Sequence, residues 1–147
     1  MIKKFFDSLF GGDESAPPTT YTLDLAAAAL MVEVMKADHE IDPQEQSVLR
    51  SVLAELFDLS DTDTESLLQE ATTASNNATD LFRFTDTVHE KFSEEQKFRL
   101  VVGLWKVAYA SDGIDRYEEH IIRRIADLLY VPHSEFMRAK HVARADA

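Results

Sequence analysis

The stretch KADHEIDPQEQSVLRSVLAEL, residues 36–56, contains the pattern that decides the fold. A run of acidic residues separates two apolar helical patterns, and nearly the same arrangement returns 73 positions later as YASDGIDRYEEHIIRRIADLL, residues 109–129. Repeated units that each carry an apolar face usually bury those faces against one another. We therefore expect two helical hairpins related by a pseudo-twofold axis. The identical pairs are Val34/Val107, Ala37/Ala110, Ile41/Ile114, Asp42/Asp115, Glu45/Glu118, Arg50/Arg123 and Leu56/Leu129.

The rest of the domain is also helical in pattern. From Tyr21 onward, apolar residues recur with helical spacing between closely spaced start and stop signals, and no hairpin signal for strands appears. The length of 147 residues suits one core. We predict an all-α fold, a compact bundle of about seven helices. They cover about residues 22–38 and 80–91, and begin elsewhere at Asp42, Ser60 or Thr62, Ser93, Asp115 and Ser134.

Residues 2–10 form a separate amphipathic segment ahead of the helical domain, which we assign to residues 21–147. The run GGDESAPPTT, residues 11–20, predicts a flexible linker between the two. A helix of about ten residues is marginal alone in water. Three binding modes therefore remain open: weak contact with a membrane surface aided by Lys3 and Lys4, docking onto the domain, or insertion into a partner's groove. The apolar stripe consists of Ile2, Phe5, Phe6, Leu9 and Phe10.

Charge and composition exclude several classes of function. The formal net charge of −12 disfavours nucleic-acid binding and favours cations or basic partner surfaces. The chain has no Cys, which excludes disulfides, thiol catalysis and zinc-thiolate sites. No window approaches the roughly 18 to 20 unbroken apolar residues of a membrane span, and MIKKFFDSLFGG lacks a signal-peptide cleavage site. We expect a cytoplasmic protein, peripheral to the inner membrane if residues 2–10 contact lipid.

Both predicted interhelical turns carry the pattern Ile-Asp-x-x-Glu, as IDPQE at residues 41–45 and IDRYE at residues 114–118. The pattern has two interpretations. An Asp at the N-cap accepts hydrogen bonds from first-turn amides, and a Glu three residues later returns one, so helix capping explains both. Clustered carboxylates beside the carbonyl groups of a helix C-terminus are also the ligands of hard cations such as calcium or magnesium.

The acidic residues that precede the isoleucines favour the cation interpretation. Asp38, Glu40 and Asp112 fall at the C-terminal ends of helices, where the helix dipole disfavours a carboxylate by about 0.3–1 kcal/mol each. A bound cation would compensate for that cost. The predicted metal ligands are Asp38, Asp42, Glu45, Asp112, Asp115 and Glu118, with His39 and Glu40 as additional candidates.

The second turn resembles an EF-hand in composition but not in spacing, because Ala108 and Ala110 fall where the first ligands would stand. Gly113 is instead predicted to be the left-handed residue that closes the preceding helix. Glu40 replaces it in the first repeat, so we expect that turn to have a different geometry.

No pattern indicates catalysis. The chain lacks a Gly-rich phosphate loop, a GxSxG sequence and any His pair with zinc spacing. Four histidines, all except His39, are predicted to be surface or cap residues, and Trp105 is predicted to lie in the core. Two alternatives remain: a purely structural scaffold or protein-interaction module at the membrane surface, and a metal-dependent hydrolase that uses the same carboxylates.

Two stretches resemble a known family. ADHEIDPQE, residues 37–45, and WKVAYASDGIDRYEEHIIRRIADLLYVPHSEFMRAK, residues 105–140, are similar to the TerB-like proteins, the tellurite-resistance protein B group. The resemblance covers about residues 21–143. It implies an all-helical fold of two similar halves, acidic interhelical turns associated with divalent cations, and a stress-response role beside membrane-associated partners. The resemblance does not point to any particular enzymatic activity. The usual Asp-Gly is Asp38-His39 in the first turn, and a displaced Asp112-Gly113 in the second.

Overall fold

The computed structural model describes residues 21–37, 42–110, 114 and 116–145. Within these residues all regular secondary structure is helical and no strand occurs, which confirms the predicted all-α class. The predicted amphipathic segment at residues 2–10 and its linker lie outside the described part. The helices are α1 (Leu23–Lys36), α2 (Pro43–Phe57), α3 (Asp61–Asn77), α4 (Phe82–Lys91), α5 (Glu94–Tyr109), α6 (Arg116–Leu128) and α7 (His133–Ala145).

Helix starts follow the capping residues in the sequence. Ser93 begins α5 with a capping box, in which its hydroxyl accepts from the Gln96 amide at 3.2 Å and the Gln96 side chain accepts from the Ser93 amide at 2.8 Å. Ser60 rather than Thr62 begins α3, since its hydroxyl accepts from the Asp63 amide at 3.1 Å. The predicted helix at residues 80–91 begins later, at Phe82, whose amide donates to Asp80.

Helix α1 is buried on every side over its middle. Residues 26–32, AAAALMV, are each at most 1% exposed. Five helices, α2 to α6, contact α1. A helix that packs on one face only would leave part of this stretch exposed, so α1 is surrounded by other helices here. Four consecutive alanines present only methyl groups, so neighbouring helices can approach the α1 backbone from several directions.

The two predicted hairpins, α1 with α2 and α5 with α6, have matching buried positions and contact each other. The contacts run between α1 and α5, between α1 and α6, and between α2 and α5. If the two hairpins exchanged places, the α1–α6 contact would become the α5–α2 contact, and a twofold relation requires this correspondence. The pseudo-twofold axis itself stays a prediction. The buried pairs are Met31/Leu104, Val34/Val107, Leu49/Ile122, Val52/Ile125 and Glu45/Glu118.

The repeat shifts by one residue at the C-terminal ends of α2 and α6. Asp58 and Tyr130 both adopt a left-handed conformation, with φ of 54° and 62°. The amide that follows each of them bonds back to an alanine carbonyl, Ala54 or Ala126, at 3.0 and 2.9 Å. Tyr130 is therefore equivalent to Asp58, at an offset of 72. A strict offset of 73, which would pair Tyr130 with Phe57, fails here.

Helix α7 lies mainly on α5. Trp105 of α5 is fully buried, which confirms the predicted core position, and its ring lies 5.2 Å from that of Phe136 on α7. The ammonium group of Lys140 lies 5.0 Å from the Trp105 ring centroid. This arrangement adds a cation–π contact to the apolar packing.

The closest approach between α2 and α5 depends on a glycine. A methyl group built on Gly103 would lie 2.6 Å from Cγ1 of Val52, a side chain on the buried face of α2. That distance is well inside van der Waals contact. The absence of a side chain at position 103 thus sets the spacing between the two hairpins.

Gly103→Ala should destabilise the protein although alanine favours helix formation. Overpacking costs about 1–3 kcal/mol, against about 1 kcal/mol gained from helix propensity, so we expect the free energy of unfolding to fall by up to about 2 kcal/mol. Urea denaturation of Gly103→Ala, Val52→Ala and the double variant checks the cause. If the clash is responsible, the double variant loses less stability than the sum of the single losses; additive losses would contradict this account.

Candidate metal centre

The structure describes three of the eight predicted ligand candidates. Asp42, Glu45 and Glu118 belong to the described part. The candidates outside the described residues are Asp38, His39, Glu40, Asp112 and Asp115. The described members, together with the helix ends that flank both turns, define the frame of the predicted site.

Asp42 is a helix cap, as predicted. Its Oδ1 atom accepts hydrogen bonds from the amides of Gln44 at 2.8 Å and Glu45 at 3.4 Å, and Pro43 occupies the first helical position. Proline suits that position because its missing amide proton would have no intrahelical partner there. Capping therefore accounts for one oxygen of the Asp42 carboxylate.

Glu45 and Glu118 are buried to a degree that capping does not require. Glu45 is 1% exposed and Glu118 is 0% exposed, although each lies in the first turn of its helix. Both take part in polar or electrostatic interactions. A carboxylate taken out of water is costly unless hydrogen bonds, an opposite charge or a metal ion compensate it. Two equivalent buried carboxylates therefore mark equivalent specialised positions in the two repeats.

The sequence contains a signal for this burial that the capping interpretation overlooked. Glu45 precedes Leu49 and Val52 at helical spacings of four and seven, so it continues the buried stripe of α2. Glu118 precedes Ile122 and Ile125 in the same way on α6. An acidic residue in register with an apolar stripe is the pattern that predicts a buried carboxylate.

The helices that lead into the two turns end in the same way. The amide of Ala37 donates to the Val34 carbonyl at 3.1 Å, and the amide of Ala110 donates to the Val107 carbonyl at 3.2 Å. Both C-caps are right-handed. The two C-caps are therefore alike. Gly113 and Glu40, on which the predicted left-handed residue and the predicted difference between the turns depend, lie outside the described residues, so both stay predictions.

The described carboxylates form no complete metal site by themselves. Among the described residues, no group of three or more His, Asp or Glu side chains could hold a metal ion. Asp42, Glu45 and Glu118 supply only carboxylate oxygens, a donor set that suits calcium or magnesium better than softer transition metals. The donor chemistry at both turns thus fits a hard cation.

A second polar cluster, which the sequence did not predict, joins α1 to α3. The buried Ser75 hydroxyl donates to Glu33 and accepts from the Lys36 ammonium group at 2.9 Å, while Lys36 also donates to Asn76 at 3.0 Å. Side chains separated by about 40 residues meet here, so local spacing contains no signal for the contact. The cluster ties the C-terminal end of α1 to α3.

A cavity of about 680 Å³ opens beside this cluster, between α1, α2 and α3. Its floor is apolar, formed in part by Met35 and Leu68. At its rim Arg50 donates to Glu65 at 2.8 Å, and this hydrogen bond lowers the pKa of the Glu65 carboxyl. The residues of α2 that line the cavity are Gln46 and Arg50, whereas Asp42 and Glu45 do not line it.

Four histidines lie on the surface, as predicted: His89, His120, His133 and His141 are exposed. His89, although exposed, also contacts a buried charged side chain. Its Nδ1 atom lies 2.7 Å from the ammonium group of Lys97, which is 2% exposed, and its ring lies 4.7 Å from that of Tyr130. Lys97 continues the buried stripe of α5, with Val101 four residues later, so its burial also had a signal in the spacing.

Among the described helices, none combines the length and the apolar content that crossing a bilayer requires.

Comparison with known proteins identifies one family. The sequence model of a family described as tellurite resistance protein TerB matches residues 24–141. The match begins within α1 and ends within α7, so it covers the described helical bundle almost completely. No curated protein and no solved structure matches the chain. On the strength of a match over most of its length, the chain belongs to the TerB family.

Proposed function

We propose that this TerB-family domain is a non-enzymatic binding domain that binds a divalent cation, calcium or magnesium, at its interhelical acidic turns. The paired burial of Glu45 and Glu118 supports the proposal most directly. Helix capping alone leaves a first-turn Glu at the surface, where water solvates it. Both side chains already take part in polar or electrostatic interactions, and a carboxylate offers further acceptor positions that a hard cation can use.

The residues that would hold the cation come from both sides of each turn. Asp42 and Glu45 would contribute from the first repeat, and Glu118 from the second, together with Asp38, Asp112 and Asp115. A bound cation would neutralise part of the net charge of −12. Asp42 can cap α2 through Oδ1 and still offer its second oxygen, because a carboxylate accepts hydrogen bonds or metal at both oxygens.

The proposed mechanism is electrostatic. Cation binding would link the end of one helix to the start of the next and would change the surface charge that a basic or membrane-associated partner meets. This fits a stress-response domain of the tellurite-resistance type. The hydrolase alternative has less support, since the cavity between α1, α2 and α3 is lined by Gln46 and Arg50 and not by the site carboxylates Asp42 and Glu45.

A structural scaffold is the second candidate function. The cap bonds of Asp42 favour it, because they explain that residue without any ligand. Under this alternative the acidic turns only end and begin helices, and divalent cations have no specific effect.

Titration of the ¹⁵N-labelled protein with calcium and with magnesium distinguishes the two functions. We expect amide shifts confined to residues 37–45 and 110–118, and a rise in thermal stability that EDTA reverses. Stabilisation of about 2.7 kcal/mol is expected when the free cation reaches about one hundred times its dissociation constant. Diffuse shifts, or none, would support the scaffold and contradict the cation site.

Glu45→Gln and Glu118→Gln separate cation binding from capping. Glutamine is also a capping-box residue at this position, and a neutral amide is cheaper to bury than a charge. We expect each variant to retain most of its stability without cation and to lose most of the stabilisation by calcium, measured by thermal unfolding with calcium and with EDTA. Glu119→Gln, at an exposed neighbouring position, is the matched control and should respond like the parent protein.

The variants Asp42→Asn and Asp42→Ala test whether Asp42 binds the cation in addition to capping α2. Asparagine preserves capping, whereas alanine costs about 0.5–2 kcal/mol. If Asp42 also binds the cation, both variants weaken calcium binding, measured by isothermal titration calorimetry, but only Asp42→Ala is destabilised in EDTA. Unchanged calcium affinity in Asp42→Asn would remove Asp42 from the site.

A further inference from the structure

Charge is unevenly distributed along this chain. Residues 1–90 contain 18 of the 27 Asp and Glu residues but only five of the 15 Lys and Arg residues. Residues 91–147 contain nine acidic and ten basic residues. Helix α3 shows the bias most strongly, with four acidic residues and no Lys or Arg. The net charge of −12 therefore belongs to the first half of the chain.

A groove runs between the start of α1 and the side of α3. Leu59 and Leu67 form its apolar floor, and Asp24, Asp63 and Glu70 form its acidic rim. We name it the α1/α3 groove. Its volume is about 320 Å³, enough for one or two large side chains, and no residue of the Lys36–Ser75 cluster lines it. The groove thus combines an apolar surface with a negative border.

The chain enters the domain at this groove. Thr22, the residue before α1, also lines it. The ten residues 11–20 can span at most about 33–36 Å. Glycines at positions 11 and 12 permit a reversal of the chain. Any segment ahead of this linker can therefore reach the α1/α3 groove within the same molecule.

Residues 2–10 complement the groove in pattern and charge. As a helix the segment would be about 13–14 Å long, and Asp63 and Glu70 are separated by about 10 Å along α3. Phe5 and Phe6 lie in its apolar stripe, and Lys3 flanks that stripe. Apolar side chains would meet the leucine floor while Lys3 meets the acidic rim.

We propose that residues 2–10 dock as an amphipathic helix in the α1/α3 groove of their own chain. Docking buries the phenylalanine stripe that would otherwise face water or lipid, and it places positive charge on the acidic half of the domain. The net charge of that half also opposes contact between the segment and an anionic membrane. This inference is independent of the proposed cation site.

Paramagnetic relaxation in the full-length protein tests the proposal. The chain contains no Cys, so Ser8→Cys takes a single nitroxide label, on the polar side of the segment. Among the described residues, we expect the broadening of amide signals to be strongest at residues 22–25 and 63–70 and to weaken with distance from the groove. Mixing labelled ¹⁴N protein with unlabelled ¹⁵N protein should give no broadening, because the contact is intramolecular. Broadening that appears only in the mixed sample would overturn the proposal in favour of a second copy.

Charge-reversal variants test whether Lys3 contacts Asp63 on the acidic rim of the groove. Lys3→Glu and Asp63→Lys should each reduce the docked-to-free ratio about two- to fivefold, the size expected for an exposed ion pair, and the double variant should restore it. Lys3→Glu leaves the domain unaltered, so the test holds even if Asp63→Lys fails to fold. Asp127→Lys, which reverses an exposed charge on α6, is the matched control and should have no effect.

Two further outcomes would overturn docking. One is uniform or absent broadening in the parent protein. The other is transfer of the label to phosphatidylglycerol vesicles with the same affinity in Asp63→Lys and in Asp127→Lys, which adds the same charge away from the groove. A groove that competes for the segment weakens vesicle binding until its rim is reversed, so stronger vesicle binding in Asp63→Lys than in Asp127→Lys supports the proposal.

Discussion

The burial of α1 on all sides is the constraint on which the rest of the bundle depends. A helix surrounded by α2 to α6 must offer close approach in every direction, and its alanine run does so with methyl groups alone. Gly103 serves the same purpose where α5 meets Val52 of α2. Small residues at the centre thus let the larger leucine, isoleucine and phenylalanine side chains fill the space between the outer helices.

This central packing also explains why the acidic turns are unusual. When α2 and α6 pack against the centre, their first turns enter the interior, and Glu45 and Glu118 enter with them. A capping residue on a peripheral helix would have remained in water. The same side chain can therefore lie in the first turn of a helix and present a buried carboxylate, whose oxygens are of the type that hard cations bind.

The two proposals assign different surfaces of one acidic domain to different ligands. The interhelical turns present carboxylates to a small divalent cation, whereas the α1/α3 groove adds an apolar floor and suits a basic amphipathic helix. Ten of the 15 Lys and Arg residues lie in residues 91–147, so the α1/α3 groove, which is lined by residues between 22 and 70, meets little positive charge. The second interhelical turn, in contrast, lies next to Arg116 in the sequence.

The sequence by itself determined the helical class, the capping residues Asp42 and Ser93, and the core position of Trp105, because these depend on spacing and on hydrogen bonds within one turn. It narrowed the cap of α3 to Ser60 or Thr62. The register placed Glu45 and Glu118 in line with buried stripes, but only the tertiary structure decided that their burial is nearly complete, that α1 is central, and that Lys97 meets His89. Those features depend on which helices become neighbours, and neighbours are selected by packing between segments that lie far apart in the chain.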